Sequence, residues 1–492
     1  MSSSLDKKTF YITSPIFYPN GELHIGHAYT MIVCDIFSRY HHMMGESTYF
    51  LTGSDENSTK IEKTAAERKI EVVPFLDNME TEFKRLYSEI DASYDQFIRT
   101  GDKERHWPGA QKMWKKLVDA GDIYTSSYKG LYCPDCEAFY TEKDLIDGMC
   151  PLHHKVPITI EEENYFFKLS KYTTPIKEAI ESGTLEILPV ARKNEILSLL
   201  EQGLQDVSFS RPAGVLGRAI PVPGDDSQIM YVWCDALVNY ISALGYGTSD
   251  ESLFKKFWPA DVHVIGKDIL RFHAAIWPAM LLSAGLPLPR RLLVHGLIMS
   301  NGKKMSKSLG NSINPQEILN EYPSDAMRYY FARHIPLFDD GEMTMKSFKD
   351  AYNAGLANGI GNLTSRIMTM AISYDVDYKV PKTDIVDEHI DMHVNKSEYV
   401  EWKKAFDRLD IHTAAQIIWK KIADMDAHIQ STEPFKLIKT DPESAKTVIA
   451  GLVDDLSLVS LLLIPIIPDA ARDIYTCIIE KRKPKEAIFA RK

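Results

Sequence analysis

The chain has 492 residues, of which 45% are hydrophobic and 25% charged, and its formal net charge is −11. This composition is typical of a folded globular protein, and it excludes a disordered chain or a protein coated in basic surface. The length exceeds what a single hydrophobic core organises, so we expect two to four domains.

Neither a membrane span nor a secretory signal is visible in the sequence. The longest apolar stretch, residues 456–467, contains two serines and a proline and falls short of the roughly 20 residues that span a bilayer. The first residues, MSSSLDKK, lack the apolar segment of a signal peptide. We therefore expect no membrane contact and a cytoplasmic protein, with an organellar matrix as the alternative. The C-terminal stretch KRKPKEAIFARK is either a local basic patch for nucleic acid or a solvated tail.

The N-terminal region predicts alternating strands and helices. A β-rich strand at 9–13 is followed by a loop at 14–21 with two prolines, and then by a helix from residue 28. A second strand at 48–53 precedes helical, charged sequence that runs to about residue 120. This order is typical of a doubly wound parallel sheet, so we predict an α/β Rossmann fold.

The pattern changes twice further along the chain. Short strands and turns between 121 and 225 indicate an insertion, after which strands at 230–233, 262–266 and 291–298 resume the sheet. Beyond about residue 350 only helical patterns remain, which predicts a C-terminal helical bundle. The predicted domains are a first α/β half (1–120), an inserted domain (121–225), a second α/β half (226–298), a loop and linker region (299–355) and a helical domain (356–492).

Two short motifs carry phosphate chemistry. The first is His24-Ile-Gly-His27, which follows the first predicted strand and opens a helix, where free amides and the helix dipole favour anions. Gly26 leaves room for a flat base or a close backbone. A pair of helix-capping histidines is the alternative interpretation. The second motif is NGKKMSKSLGN at 301–311, whose lysines and small residues suit a loop over a polyphosphate, although they also suit a solvated basic loop.

Together the two motifs resemble the signatures of the class I aminoacyl-tRNA synthetases. The resemblance implies that the substrate carboxylate attacks the α-phosphate of ATP and that pyrophosphate leaves, so the protein supplies positioning and charge stabilisation. It also implies that Mg²⁺ assists. The implied catalytic residues are two histidines for the phosphates and two lysines for the departing pyrophosphate: His24, His27, Lys304 and Lys307. The implied ATP-binding residues are Gly26, Gly266, Asp268 and Lys307; an N-cap role is the alternative for Asp268.

Three further stretches, SPIFYPNGELHIGH, YVWCDALVNY and IGKDILRFHAAIWPAM, are similar to those of methionyl-tRNA synthetases. They imply a thioether pocket with aromatic walls and one polar tip. Its members would be Ile16, Tyr18, Trp233, Ala236, Leu237, Tyr240, Ile269 and His273, and Asp55 would pair with the substrate ammonium. For any single member a plain core role is the alternative. Where the family often has Asp-Glu-His-Gly, this chain has Asp-Glu-Asn-Ser at 55–58, which puts any histidine role there in doubt.

A cysteine cluster lies inside the predicted insertion. It consists of Cys133-Pro-Asp-Cys136 and Cys150-Pro-Leu-His153, and thirteen residues separate Cys136 from Cys150. Two ligand pairs at this spacing predict a zinc knuckle with Cys3His ligation, a closed set that indicates a structural Zn²⁺. His154 is an alternative fourth ligand.

The resemblance also implies that the helical bundle binds the anticodon of tRNA(Met). Asn362 and Arg366, one helical turn apart, would contact bases, and Phe435 stands where the family usually has a stacking tryptophan. The chain ends soon after the bundle, so we expect a monomer.

The expected activity is ligation of methionine to tRNA(Met) with ATP. A synthetase for leucine, isoleucine, valine or cysteine is a weaker alternative, because the chain has no large editing insertion and its cysteine cluster lies outside the catalytic halves. A non-catalytic tRNA-binding relative has no use for the histidines and lysines. A small-molecule nucleotidyltransferase has no use for the helical third.

Overall fold

A computed structural model describes residues 8–492 except 22, 134–137, 141, 152–153, 301, 305–312, 380–389 and 391. Its strands, in chain order, are β1 (Thr9–Phe17), β2 (Ser47–Ser54), β3 (Gln96–Arg99), β4 (Ile123–Cys133), β5 (Ala138–Tyr140), β6 (Ile158–Phe167), β7 (Glu186–Leu188), β8 (Val207–Ser208), β9 (Ser210–Pro212), β10 (Pro221–Val222), β11 (Asp225–Met230), β12 (Val262–Gly266), β13 (Arg291–His295), β14 (Ile298–Ser300), β15 (Lys303–Lys304) and β16 (Gly341–Glu342).

The helices of the α/β region and the insertion are Ile25–Met43, Thr59–Glu67, Val72–Glu89, Trp107–Asp119, Thr173–Ser182, Val190–Gln202, Val232–Ala236, Asn239–Ser242, Ser252–Phe257, Trp277–Ser283, Pro315–Leu319 and Ser324–His334. The C-terminal helices are Met345–Ala351, Asn362–Ser373, Ser397–Asp407, Ile411–Thr432, Pro434–Leu437, Pro442–Leu463 and Pro468–Ile479. Wide π-type turns occupy Phe272–Ile276 and Tyr352–Gly361, the second with a kink at Gly359. No helix in the described part of the chain combines the length and apolarity needed to cross a bilayer.

A six-stranded parallel sheet forms the centre, in the order β3-β2-β1-β12-β13-β7. The strand order reverses between β1 and β12, where Ile12 pairs with Val262. Ligands of open parallel sheets bind beyond the carboxyl ends of the strands at such a switch point. The α/β fold class is confirmed, and its sheet is built from two halves of the chain.

The alternation of β1 divides the hydrophobic core into two layers. Phe10 and Ile12 face the layer formed by the first helix, whereas Tyr11 between them faces the opposite layer. The first layer continues without a break into the C-terminal bundle, since the ring of Tyr40 stacks on Phe406 with centroids 4.3 Å apart. The bundle therefore packs directly on the helix that the His-Ile-Gly-His motif opens.

Several element boundaries differ from the sequence predictions. The strand expected at 230–233 is wrong: β11 ends at Met230 within a small antiparallel sheet, and a helix begins at Val232. The expected loop after Thr13 is in part strand, because β1 continues to Phe17 past a register shift opposite β2. Sequence reasoning missed β3 and β7, the two edges of the parallel sheet. Because β7 falls within 121–225, that interval contributes to the main sheet as well as to the antiparallel sheet β5-β4-β6-β8.

Candidate active site

The first helix begins with a reciprocal pair of histidine caps. The Nδ1 atom of His24 accepts a hydrogen bond from the Gly26 amide (3.1 Å), and Nδ1 of His27 accepts one from the His24 amide (3.1 Å). The two rings lie 3.9 Å apart, with His24 exposed and His27 half-buried. Because each Nδ1 acts as an acceptor, a neutral ring carries its proton on Nε2, where it can donate to a phosphate oxygen. The capping and phosphate-binding interpretations are thus compatible in one geometry.

The lysine motif starts on a hairpin and returns to this helix. β15 pairs antiparallel with β14, and Gly302 turns the chain with φ of 69° while its amide donates to Glu342 Oε1 (2.8 Å). The side chain of Lys304 and the whole of Lys307 lie outside the described residues. The chain is described again at Ile313, whose carbonyl oxygen accepts a hydrogen bond from the Ile25 amide (3.3 Å). The segment that carries Lys307 is therefore anchored at one end to the first residue of the histidine-capped helix.

The end of β12 brings a glycine and a carboxylate together. Gly266 closes the strand, and Asp268 follows in an exposed 3₁₀ turn that Gly266 itself caps, so the N-cap alternative for Asp268 is not observed. A Cβ atom at Gly266 would lie 2.6 Å from Asp268 Oδ1. Glycine thus allows this carboxylate to approach the strand end, where it can accept hydrogen bonds from vicinal hydroxyls.

A buried hydrogen-bonded pair lies at the centre of the aromatic residues that the sequence singled out. The Tyr240 hydroxyl and His273 Nε2 are 2.7 Å apart, and His273 Nδ1 lies 3.0 Å from the carbonyl oxygen of Ile269. Because a carbonyl only accepts, Nδ1 carries the proton and Nε2 accepts from Tyr240. Burial lowers the pKa of His273 to about 4 and raises that of Tyr240 above its ordinary value. The pair is therefore neutral at pH 7.

Trp233 lies beside this pair, with its ring centroid 6.4 Å from that of His273. Trp233 is half-buried and stacks on Phe272 with ring centroids 3.7 Å apart and planes at 6°. Ala236 and Leu237 are buried on the same short segment, while Ile16 and Ile269 are partly buried against the same core layer. Tyr18 follows β1 and lies beneath the Lys60 ammonium, 5.0 Å from the ring centroid. Phe272 was missed, although its position beside His273 in the sequence was a usable signal.

Three buried acids, Asp55, Glu56 and Asp235, lie near the carboxyl end of β2. Asp55 is 4% exposed, and its Oδ1 accepts from the Asn57 amide (3.3 Å) and, at 3.4 Å, from the Thr100 hydroxyl. The Asn57 side chain donates from Nδ2 to Asp235 Oδ2 (2.5 Å). The residue that replaces the family's usual histidine therefore joins the Asp55 loop to the Trp233 helix. Sequence reasoning missed Asp235, whose only signal was an acid inside an apolar stretch.

The inserted sheet brings two of the four predicted zinc ligands into its core. Cys133 ends β4 and Cys150 follows a turn, and both are buried; Cys150 Sγ lies 3.6 Å from the Tyr140 hydroxyl. The His154 amide donates to the Cys150 carbonyl oxygen (2.8 Å). Cys136 and His153 lie outside the described residues, among which no group of three metal-binding side chains occurs. The zinc knuckle stays a prediction.

Of the predicted anticodon residues, Asn362 and Arg366 lie on the bundle helix Asn362–Ser373, and Phe435 lies on the short helix Pro434–Leu437. Asn362 is exposed, and the half-buried Arg366 forms an ion pair with Asp426 on the helix Ile411–Thr432. That helix ends at Glu433, which has a φ of 39°, and Phe435 just beyond it is 41% exposed. An exposed aromatic ring can stack on an unpaired base, and a guanidinium and a side-chain amide can each contact base edges.

A parallel sheet interrupted by an insertion, with a histidine-capped helix at its switch point and a lysine hairpin, defines a class I aminoacyl-tRNA synthetase. A family model described as tRNA synthetases class I (M) matches residues 10–156 and 142–368, and a model of the anticodon binding domain of methionyl tRNA ligase matches 384–487. The chain belongs to the methionyl-tRNA synthetase family.

Relatives and solved structures agree with this assignment. Methionine–tRNA ligase of Clostridium acetobutylicum is 41% identical over 96% of this chain and 73% of the relative. That of Thermotoga maritima is 40% identical over 97% and 76%. Mycobacterium tuberculosis methionyl-tRNA synthetase in complex with methionyl-adenylate superposes with a TM-score of 0.89 at 31% identity, covering 98% of this chain and 100% of that one. The free form of the same enzyme gives a TM-score of 0.82.

Proposed function

We propose that this chain activates L-methionine with ATP to form methionyl-adenylate and pyrophosphate, and then transfers the methionyl group to the 3′ end of tRNA(Met). The observation that carries the proposal is the neutral Tyr240–His273 pair among aromatic side chains, in the same α/β domain as the histidine-capped helix at the switch point. Membership of the family and the similarity to an enzyme solved with methionyl-adenylate support it.

The nucleotide is activated by placement and charge. The methionine carboxylate is already a nucleophile, so it attacks the α-phosphate without a general base, and the bridging oxygen leaves with pyrophosphate. His24 and His27 donate from Nε2 to phosphate oxygens at the positive end of the helix, where added negative charge is stabilised. Lys304 and Lys307 neutralise the pyrophosphate, and Mg²⁺ bound with the ATP substrate supplies further positive charge. Gly26 gives the base and ribose close access, and Gly266 and Asp268 hold the ribose.

Methionine is recognised through its thioether and its ammonium group. Trp233 and its neighbours supply polarizable walls, and the Tyr240 and His273 side chains provide the polar tip near the sulfur. The remaining wall residues are Ile16, Tyr18, Ala236, Leu237 and Ile269. Asp55 accepts hydrogen bonds from the ammonium, a role that suits a buried carboxylate held by its own loop.

The tRNA is bound by the helical bundle. Asn362 and Arg366 contact anticodon bases, with Asp426 fixing the guanidinium, and Phe435 supplies the stacking surface. We expect the enzyme to act as a monomer in the cytoplasm.

Cys133, Cys136, Cys150 and His153 hold one structural Zn²⁺. Two buried thiols, of which that of Cys150 lies beside a phenol hydroxyl, suit such a site, because thiolate ligands need a partly desolvated pocket with hydrogen-bond donors. A closed set of four ligands leaves no position for catalysis. Metal analysis of chelator-free protein should find about one zinc per chain. Loss of zinc in His154→Ala but not in His153→Ala would reassign the fourth ligand.

ATP–pyrophosphate exchange, measured with each amino acid in turn, tests the proposal. Methionine alone should stimulate exchange, and tRNA(Met) should then accept labelled methionine. Exchange driven by another amino acid would overturn the substrate assignment, and no exchange at all would indicate a non-catalytic relative.

A further inference from the structure

One fully buried guanidinium connects the catalytic region to the bundle. Arg328 lies on the helix Ser324–His334 and has no exposed surface. Arginine has five N–H donors, and here all five have acceptors within hydrogen-bond distance. Nε donates to the Ile466 carbonyl (2.9 Å) and Nη2 to the Pro465 carbonyl (3.0 Å) and to Asp35 Oδ2 (2.6 Å). Nη1 donates to the carbonyls of residues 90 and 91 (3.3 and 3.1 Å).

The acceptors come from three separate parts of the fold. Asp35 lies on the first helix, eight residues and therefore about 12 Å beyond His27 along the helix axis. Residues 90 and 91 end the helix Val72–Glu89, which packs beside the first helix. Residues 465 and 466 form the turn between the bundle helices Pro442–Leu463 and Pro468–Ile479. Arg328 thus holds the histidine-capped helix and the anticodon-binding bundle in one hydrogen-bond network.

Both carboxylate oxygens of Asp35, the partner of Arg328, also accept hydrogen bonds. Asp35 Oδ1 accepts from the Ser93 amide (2.7 Å), and Oδ2 accepts from Arg39 Nε (2.7 Å) as well as from Arg328. Removing two charges from water is costly unless every donor and acceptor is matched, and a partly matched network is less stable than apolar side chains in the same place. A small rotation of the bundle would break several of these bonds together. The network therefore favours one relative orientation and penalises the others.

A second contact from the same helix reaches the same part of the bundle. Asp325, 2% exposed and one turn before Arg328, accepts a hydrogen bond at Oδ2 from the Ala470 amide (2.7 Å) in the first turn of Pro468–Ile479. Two side chains of one helix thus hold residues 465–470 from both sides.

We propose that Arg328 is a positioning residue that fixes the anticodon-binding bundle against the first helix, and thereby controls methionyl transfer to tRNA without taking part in adenylate formation. The inference rests on the proposed function. A tRNA bound at its anticodon can place its 3′ end at the adenylate only when the angle between bundle and sheet is held. Adenylate formation uses small substrates and needs no such alignment.

The test compares two rates in the full-length enzyme. Arg328→Lys keeps the charge but has three donors in place of five, so it leaves carbonyls unpaired. We expect tRNA charging to fall at least tenfold in kcat/KM for tRNA, and methionine-dependent ATP–pyrophosphate exchange to stay within twofold. Arg333→Lys is the matched control, because Arg333 lies on the same helix, is half-buried and donates to the Tyr329 hydroxyl. It should leave both rates unchanged.

A distance measurement separates positioning from a general loss of stability. Spin labels at Lys63→Cys and Lys420→Cys, both exposed, report the separation of the α/β region and the bundle. The distance distribution should broaden in Arg328→Lys and stay narrow in the control. Parallel loss of exchange and charging, unchanged charging, or an unchanged distribution would each overturn the proposal.

Asp325→Ala provides a second variant in case Arg328→Lys does not fold. It removes one helix cap, so the protein should remain folded, and it should lower charging about threefold with exchange unchanged. An absence of exchange in the unmodified enzyme would count against the proposed function instead.

Discussion

The two sides of the proposed active site, one for methionine and one for the nucleotide, differ in how their side chains are held. On the methionine side Tyr240 and His273 are buried and bonded to each other, and Trp233 is stacked against Phe272. On the nucleotide side His24 and Asp268 are exposed, and the catalytic groups are presented by a helix start and a strand end. The pocket that must distinguish one side chain is preorganised, whereas the groups that meet ATP stand at backbone ends that a charged ligand can reach.

The difference has a physical reason. A thioether offers little besides polarizable surface, so selectivity requires a rigid, desolvated shape. A triphosphate carries several charges, and donors at a helix end bind it from water without a closed pocket. The predictions below test this contrast, beginning with the largest expected effect.

Loss of an Nε2 donor should affect the chemical step most. In His24→Ala and His27→Ala, the rate of adenylate formation should fall about 10²-fold or more, as for other lost transition-state donors. The KM for methionine should change by less than about threefold. Single-turnover formation of methionyl-adenylate measures both.

His24→Asn is the control that separates the capping role of His24 from its role in phosphate binding. Asparagine is a good N-cap, so it should restore helix stability without restoring the rate. Recovery of the rate in His24→Asn would show that His24 serves only as a cap. His42→Ala, an exposed histidine of the same helix, should have no effect.

Lys307→Ala should slow adenylate formation at least tenfold more than it weakens methionine binding, because the ammonium meets charge that develops as pyrophosphate leaves. Pre-steady-state rates and equilibrium binding of methionine measure the two effects. Equal losses would contradict a transition-state role. Lys255→Ala, an exposed lysine of the α/β domain, is the control.

Removing the Tyr240 hydroxyl, part of the proposed polar tip, should weaken methionine binding and leave ATP binding unchanged. Tyr240→Phe leaves His273 Nε2 as a buried acceptor without its donor, which costs about 1–3 kcal/mol. The KM for methionine should therefore rise roughly 5–150-fold while the KM for ATP stays constant. Tyr246→Phe is the matched control, since its buried hydroxyl makes no hydrogen bond to any described residue. An equal change of the KM for methionine in both variants would contradict a role of Tyr240 in recognising the thioether.

The smallest effect is on stability as a function of pH. Burial lowers the pKa of His106, His273 and His393 to about 4, well below the ordinary value of 6.5. Between pH 6.5 and 5 the unfolded chain takes up protons that the native protein does not, so acidification lowers the free energy of unfolding. Each such histidine contributes up to about 1.4 kcal/mol per pH unit.

Urea unfolding between pH 7.5 and 5 measures this slope, and methionine affinity should stay flat from pH 6 to 8 because His273 remains neutral. Stability that rises on acidification would contradict the burial of these rings.

The sequence predicted the family and the parallel sheet, because its two motifs are specific and the strand–helix alternation around the first of them is clear. It could not predict the two edge strands of the parallel sheet. β3 (QFIR) and β7 (EIL) have four and three residues, too few for an alternating pattern that would distinguish a strand from a loop. The apolar run at 230–233 was ambiguous, since a short buried helix and a buried strand have similar sequences.

Contacts between distant residues were also beyond sequence reasoning. Nothing local indicates that Asn57 joins Asp235, or that Arg328 uses all five donors on three parts of the fold. The domain limits and the role of each site residue stay predictions that the variants above address.

The pairing of Ile12 with Val262 has a consequence for synthesis of the protein. The 250 residues between them take about 12–50 s to translate at 5–20 residues per second. During that time β1 emerges with an open edge while its neighbour has not yet been made. Because β2 pairs with the opposite edge of β1, the edge that awaits β12 stays unpaired until the insertion has left the ribosome, unless the first helix or a chaperone covers it.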